Sequence, residues 1–270
     1  MCCFSRPIPY VSQTEIFARA RNGSASEREQ FLVYKMSVRL DEELAMILPL
    51  PVPPGCADDA VWFIDLSGYD DLFKDLGRGF PSLLSYPKGR SIGRSLPPEQ
   101  PRLKVHTVGD FEASFVPSPR DFGRLDERFR LPPNAWDKLP AYADYGFAVF
   151  KLRRPGGLRG LMRRLRKAPQ SFHPMALVFP RRDPRALFFP TVHIHDGAVH
   201  DEARFDHTLY CQLDAGGVAP RGWERSERAL STFADARRSR GILDGDARCF
   251  RRVLEGTQRN QDTFVYTDGR

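Results

Sequence analysis

Short apolar runs separated by turn residues dominate the chain, and two sets of these runs read alike. Phe31-Leu-Val-Tyr-Lys-Met36 matches Phe147-Ala-Val-Phe-Lys-Leu152, and Ala45-Met-Ile-Leu-Pro49 matches Ala176-Leu-Val-Phe-Pro180. Runs of this length, rich in aromatic and β-branched residues and bounded by Pro and Gly, predict strands. The first pair of landmarks lies 14 residues apart and the second 29. The difference is about the length of the stretch from Pro155 to Gln170, which suggests two copies of one strand pair with an insertion in the second. An upstream strand is expected in each copy, Thr14–Ala20 and Asp110–Val116.

Helical spacing is interspersed among these strands. Tyr69, Leu72, Phe73 and Leu76 fall at i, i+3, i+4 and i+7, one apolar face of a helix. Ser118 is placed to cap a second helix with Pro119 at its first position, and Phe122, Leu125 and Phe129 supply the buried stripe. Asn134 is a further start signal ahead of Trp136 and Leu139. Near the end, a helix is expected around Glu227–Arg238 and a strand at Thr263–Tyr266. Mixed strands and helices with short connections predict an α+β fold of two related halves, mostly antiparallel. The halves divide as 1–80 and 102–213, joined by a Pro/Ser/Gly-rich linker at 81–101, with 214–270 as a C-terminal extension packed on the second half.

Polar residues break this pattern most sharply between residues 193 and 207, where four of the six histidines fall. Val192-His193-Ile194-His195 alternates as a strand should, and Asp196-Gly197 is a two-residue hairpin signal. Folded as a hairpin, His193 faces His200, and His193, His195 and His200 emerge on one face. Imidazole is the commonest metal ligand, and three nitrogen donors with an open position suit a divalent transition metal such as zinc or iron. Asp201, His207 or Cys211 are further ligands or orienting groups for such a site. The plain alternative is a solvated hairpin with Val192, Ile194 and Val199 turned inward.

Composition changes the picture in two places. The formal charge of +7 is concentrated between Lys151 and Lys167, which holds eight basic residues and no acidic one. Without them the chain has 33 basic and 34 acidic residues, so the basicity is a patch and not a global polyanion-binding surface. Leu158, Leu161, Met162 and Leu165 recur there at helical spacing. With Arg159, Arg163, Arg164, Arg166 and Lys167 around them they suit weak contact with a polyanion or anionic membrane. The five cysteines are odd in number and form no Cys-x-x-Cys pair, which favours reduced thiols in a cytoplasmic protein over a disulfide framework or zinc ribbon. The start lacks the apolar core of a signal peptide, and the apolar run from Leu44 to Val52 is too short to span a bilayer.

The order Cys2-Cys3, a strand pair ending in Leu48-Pro49-Leu50-Pro51, then Val108-Gly109-Asp110-Phe111 and Tyr142-Ala-Asp-Tyr-Gly146-Phe147 resembles a bacterial family of uncharacterised proteins catalogued as domain of unknown function 2330. The likeness covers roughly residues 1–195. It implies the two-half architecture and no activity.

Other chemistry is sparse. Cys2 would become an amino-terminal thiol if Met1 were removed, the logic of N-terminal-nucleophile hydrolases, but Cys3 is not the small neighbour such enzymes use. Pro49–Pro54 either forms a polyproline ligand or simply ends a strand. No phosphate loop, Gly-x-Ser-x-Gly elbow or dinucleotide fingerprint is present. The functional expectation is a binding or scaffolding role, with a metal-dependent hydrolase or oxygenase built on His193, His195 and His200 as the alternative.

Overall fold

A computed structural model describes residues 2–21, 28–40, 42–80, 105–109, 111–131, 139–152, 170–196, 198–213 and 219–267. The first half of the chain carries β1 (Cys2–Phe4), β2 (Tyr10–Arg21), β3 (Glu29–Arg39), β4 (Leu44–Leu50), β5 (Trp62–Asp65) and α1 (Leu72–Arg78). Then come β6 (His106–Val108), β7 (Phe111–Val116), β8 (Gly146–Leu152), β9 (Gln170–Ser171), β10 (Met175–Pro180) and β11 (Ala186–Phe189). The last are β12 (His193–Ile194), β13 (Glu202–Gln212), β14 (Glu224–Arg225), β15 (Phe250–Arg259) and β16 (Thr263–Tyr266).

These strands build two large sheets and one small one. The six-stranded sheet has the order β12-β1-β4-β8-β7-β6, and the larger sheet runs β14-β15-β13-β2-β3-β10-β5 with β9 also paired to β3. β11 and β16 form a separate pair. The ladders are antiparallel apart from β13 against β2 and β1 against β12. Among the described residues the fold is therefore mostly β, and the expected α+β class is overturned.

The helical expectations fail for a local reason. Among the described residues α1 is the one α-helix; it takes up Leu72, Phe73 and Leu76 of the predicted face, while Tyr69 lies in the turn before it. Of the stripe, Phe122 and Phe129 instead sit on 3-10 turns at Pro119–Arg124 and Glu127–Phe129, and Leu125 is the extended residue that ends the first. An i, i+3 repeat serves a 3-10 turn as well as an α-helix, and 3-10 turns are intrinsically short. Ser118 spends its hydroxyl on Asp121 and caps nothing. Around Glu227–Arg238 a single 3-10 turn forms at Leu230–Thr232. Its flanks bond to the returning chain, Leu230 N–H to Ala247 and Ser231 N–H to Gly245. The helix expected after Asn134 starts outside the described residues, and the Thr263–Tyr266 strand is present as β16.

The matched strand pairs do not form two copies side by side. β3 pairs with β2 and β10, whereas β4 pairs with β8 and β1. Each landmark strand of the first half thus lies against a landmark strand of the second. The connection between β3 and β4 crosses from one sheet to the other and closes no hairpin, so segments from both sides of 81–101 share both sheets. Val108 pairs with Phe111 across β6 and β7, and Gly109 between them has φ +56. A Cβ there would lie 2.5 Å from His173 Nε2, so the position demands glycine twice over.

Three apolar layers hold the sheets. Between them lie Ile16, Ala18, Leu32 and Leu209 from the larger sheet and Met46, Leu48, Ala148 and Phe150 from the smaller. Phe17, Val33, Val178 and Tyr210 on the outer face of the larger sheet are covered by α1 and the chain around Leu230–Leu243. Ala45, Ile47, Val116, Phe147 and Val149 on the outer face of the smaller sheet are covered by the 3-10 turns. Central strands are consequently buried on both faces, which explains why β4 is buried at all seven positions and reads as one continuous apolar run.

One buried polar side chain ties the small β11/β16 pair to this core. Gln30 Nε2 donates to Phe188 O at 2.7 Å, and Phe188 N–H donates to Gln30 Oε1 at 2.9 Å. The amide replaces the strand that would otherwise satisfy that edge. Substituting Gln30→Leu leaves a buried N–H and C=O without partners, at about 1–3 kcal/mol each. The variant should lose about 2–6 kcal/mol in urea unfolding at unchanged m-value; a loss under about 1 kcal/mol would show that the pair contributes nothing net.

Candidate functional site

The histidine segment sits at the rim where the two sheets meet. β12 is an edge strand two residues long, running parallel to β1 with Cys2 opposite His193 and Cys3 opposite Ile194. Side chains alternate, so Val192 and Ile194 enter the outer layer of the smaller sheet. His193 and His195 consequently point the other way, towards β13 of the facing sheet.

Backbone bonds from distant side chains hold the segment in place. Asn260 Oδ1 accepts His193 N–H at 2.7 Å, while its Nδ2 donates to His193 O at 3.0 Å and to His200 O at 2.9 Å. Asp262 Oδ1 accepts the N–H groups of Thr191 and Val192, and its Oδ2 accepts the Tyr142 hydroxyl at 2.6 Å. Ile8 N–H donates to His195 O. Residues 260–262 thus do the work that a second hairpin strand was expected to do.

The structure brings His193 and His195 together and leaves His200 outside. Their ring centroids are 4.7 Å apart. His200 is exposed, its Nε2 2.8 Å from the Asp196 carboxylate, which that bond holds below the usual carboxylate range. Asp196 also accepts Ala198 N–H, so the turn is stitched to itself and not to a hairpin ladder. The ring that joins the pair is His207 on β13, 4.5 Å from His193 between centroids and only 2% exposed. Its separation from His193 is set by sheet packing, so alternation within the segment carried no signal for it beyond its membership of the cluster. Cys211, four residues further along β13, is about 13 Å away and fully buried.

Aromatic walls enclose the three imidazoles. Phe205 lies 4.6 Å from His193 and 5.3 Å from His207, and Phe4 stands edge-on to His195 at 5.9 Å. Burial, reinforced by mutual repulsion among the rings, depresses the pKa of His193 to about 2 and that of His195 to about 4. Burial lowers His207 as well. All three are neutral near pH 7.

Among the described residues, His193 Nε2, His195 Nε2 and His207 Nδ1 are buried without a partner, and so is Thr14 Oγ1, whose residue lies beside His207 in the β2–β13 register. The nearest carboxylate oxygen to His207 Nδ1 is Asp206 Oδ1 at 3.7 Å, too far for a hydrogen bond. Among the described residues, no group of three or more His, Cys, Asp or Glu side chains is placed to hold a metal ion as it stands.

The remaining candidates fare as follows. Cys2 is fixed by its backbone in β1. The basic run with Arg159, Arg163, Arg164, Arg166 and Lys167 lies outside the described residues, while Lys151 is paired with Glu112. Pro51 and Val52 are buried and bonded through their carbonyls to Arg182, so this stretch ends β4 and is not presented as a ligand. An open cleft of about 530 Å³ is lined by Gly123, Arg124, Asp126, Glu127 and Arg130. Its arginines are engaged by Asp58, Asp121 and the carbonyls of Gly123 and Leu125. Among the described residues no helix is long and apolar enough to cross a membrane.

No family model matches the chain. Among solved structures it is similar to the crystal structure of baculovirus P35, with a TM-score of 0.46 and 12% identity over 96% of this chain and 97% of that one.

Neutral buried histidines make the fold sensitive to acid. Their folded pKa values lie below the unfolded value near 6.5, so the unfolded chain binds more protons as pH falls. The stability that neutrality supplies is complete above about pH 6.5. It is lost down to about pH 4 for His195 and about pH 2 for His193. His193 and His195 together contribute a stability slope approaching about 2.7 kcal/mol per pH unit near pH 5, about 1.4 each, opposed up to about pH 7 by Glu15, whose carboxyl burial pushes up to about 7. Urea midpoints at pH 5–7 for the protein and for His193→Gln measure the histidine part as a difference, and equal slopes in the two would refute the neutral cluster.

Proposed function

We propose that this protein acts by binding, and that its binding element is the cluster of His193, His195 and His207, which takes up one late-transition-metal ion. The observation that carries this reading is the set of three buried imidazole nitrogens without partners. Leaving each unsatisfied costs about 1–3 kcal/mol, a large fraction of the 5–15 kcal/mol by which a domain is stable. An ion is a natural compensation, since neutral imidazole is a donor to zinc, copper and iron alike. Rotation about χ2 exchanges the nitrogen and carbon edges of a ring without moving Cβ, so modest rearrangement turns lone pairs towards a common point. Asn260 and Asp262 would hold the backbone beneath the ligands.

A binding role fits this environment better than the hydrolase or oxygenase alternative, because the rings of Phe4 and Phe205 lie against the imidazoles. Free thiols at Cys3, Cys56, Cys211 and Cys249 suit a reducing setting, and the cytoplasm is the compartment we propose. Metal analysis of untagged protein, after exposure to zinc, iron and copper and removal of excess, tests the site. About one ion per chain is expected, lost in His193→Ala and retained in His200→Ala. No bound ion under any of the three, or equal loss in both variants, would overturn it.

The acid-free run from Lys151 to Lys167 favours a second, separate contact with an anionic surface. Deleting residues 155–170 should abolish most salt-sensitive retention on heparin, because what remains is nearly neutral. Retention unchanged by the deletion would remove this contact.

A further inference from the structure

We propose that two copies of this chain associate edge to edge through β15. Glu255–Arg259 of one copy pairs antiparallel with the same segment of the other, about a two-fold axis at Thr257. The proposal is independent of the imidazole cluster and stands or falls without it.

The open edge is the first argument. β13 lines one side of β15 along its whole length, from Phe250 to Arg259. On the other side β14 reaches Phe250 and Arg251 alone, so among the described residues no strand continues past Arg251 there. Asn260 N–H donates to Asp201 O at 2.8 Å, one step beyond the Glu202–Arg259 pair. Hydrogen-bonded pairs alternate along an antiparallel ladder, so the even-numbered residues of β15 bond to β13 and the odd-numbered ones turn their backbone groups to the open side. Two of those outward carbonyls have partners from their own chain, Glu255 O from Gln258 Nε2 at 2.9 Å and Arg259 O from Gln261 N–H at 3.1 Å. Each carbonyl still has a second lone pair, and the outward N–H groups of Glu255, Thr257 and Arg259 have no strand to meet. Gly256 at φ +77 does not interrupt the strand, because the β13–β15 register runs unbroken across it. Long edges are commonly guarded by proline or lysine. β15 has neither, and its Val253 is 48% exposed.

The side chains identify the occupant. Leu254 enters the layer between the sheets, so Glu255, Thr257 and Arg259 alternate onto the outer face, where all three are exposed. Reversing the strand about Thr257 exchanges Glu255 with Arg259. A two-fold axis there sets Glu255 of each copy opposite Arg259 of the other, with the two threonines facing at the axis. Opposite-charge and Thr–Thr pairs across strands are both favourable. These are also the positions whose backbone groups point outward, so ladder and side chains call for one register. Moving the axis to Glu255 or to Arg259 would set like charges face to face. Moving it to Val253 would require the position of Arg251 that β14 already holds. Within one chain Glu255 stands opposite Asp206, another carboxylate. Among the described residues neither Glu255 nor Arg259 has an ion-pair partner. Such a segment is complementary to itself, and two-fold pairing closes at two copies without leading to a filament.

Sedimentation velocity from about 1 to about 100 μM tests the pairing, a range suited to a small interface. A reversible equilibrium between monomer and dimer is expected, with the dimer dominant at the highest concentration. Thr257→Lys places like charges at the axis, and Glu255→Arg makes both flanking pairs repulsive; each should weaken the dimer at least about tenfold. Adding Arg259→Glu to Glu255→Arg restores complementarity and should recover the dimer. All three positions are exposed and their backbone groups face away from β13, so the variants test association without disturbing the fold. A wild-type chain that stays monomeric throughout, or a dimer indifferent to Thr257→Lys and Glu255→Arg, would overturn the proposal. Failure of the double variant to recover would overturn the two-fold register and the proposal with it.

Discussion

Burial of both faces of the central strands is the constraint on which the rest of the molecule depends. β4 is buried at all seven positions, so no arrangement that leaves one face of its sheet to water can hold it. Each large sheet must be covered twice, once by the other sheet and once by something else. The shared layer of Ile16, Leu32, Met46, Leu48, Phe150 and Leu209 meets the first need. α1, the 3-10 turns and the long irregular segments before β8 and β15 meet the second. Coverage by irregular chain is demanding, because its backbone groups must find partners singly and not in ladders. The Asx-type bonds of Asp126, Asp183, Asp235 and Asp244 to N–H groups two residues ahead, and the Gln30 bridge to Phe188, are consequences of that demand.

The imidazole cluster follows from the same packing. Where the inter-sheet layer reaches the edge strand β12, alternation turns His193 and His195 inward towards β13, and His207 comes across from that strand. A core rim that buries neutral imidazoles holds donors ready without paying for charge, and the depressed pKa values of His193 and His195 express that same burial. Rigidity comes from outside the cluster: Asn260 and Asp262, at the end of β15, fix the backbone of residues 191–193. Acid lability and the unspent ring nitrogens are thus two readings of one physical situation.

Much of the local structure was legible in the sequence. The apolar runs at 31–36, 45–49, 147–152 and 176–180 are strands, as are the stretches at 14–20, 111–116 and 263–266, and Leu72, Phe73 and Leu76 lie on a helix. Strand alternation also placed His193 and His195 on one face, because that relation is local to the backbone. The turn at Asp196 misled, since its carboxylate serves Ala198 and His200 and closes no ladder.

What the chain determined by itself is the set of strands, the apolar content of the layers and the local density of histidine, all of which depend on neighbours within a few residues. Only the tertiary structure decided which strands pair, that β3 takes β10 and β4 takes β8, and that the stripe at Phe122–Phe129 becomes 3-10 turns. It alone exchanged His200 for His207. Residues 193 and 207 meet through two different sheets, and such a contact is fixed by how faces are buried, which no periodicity within one strand encodes.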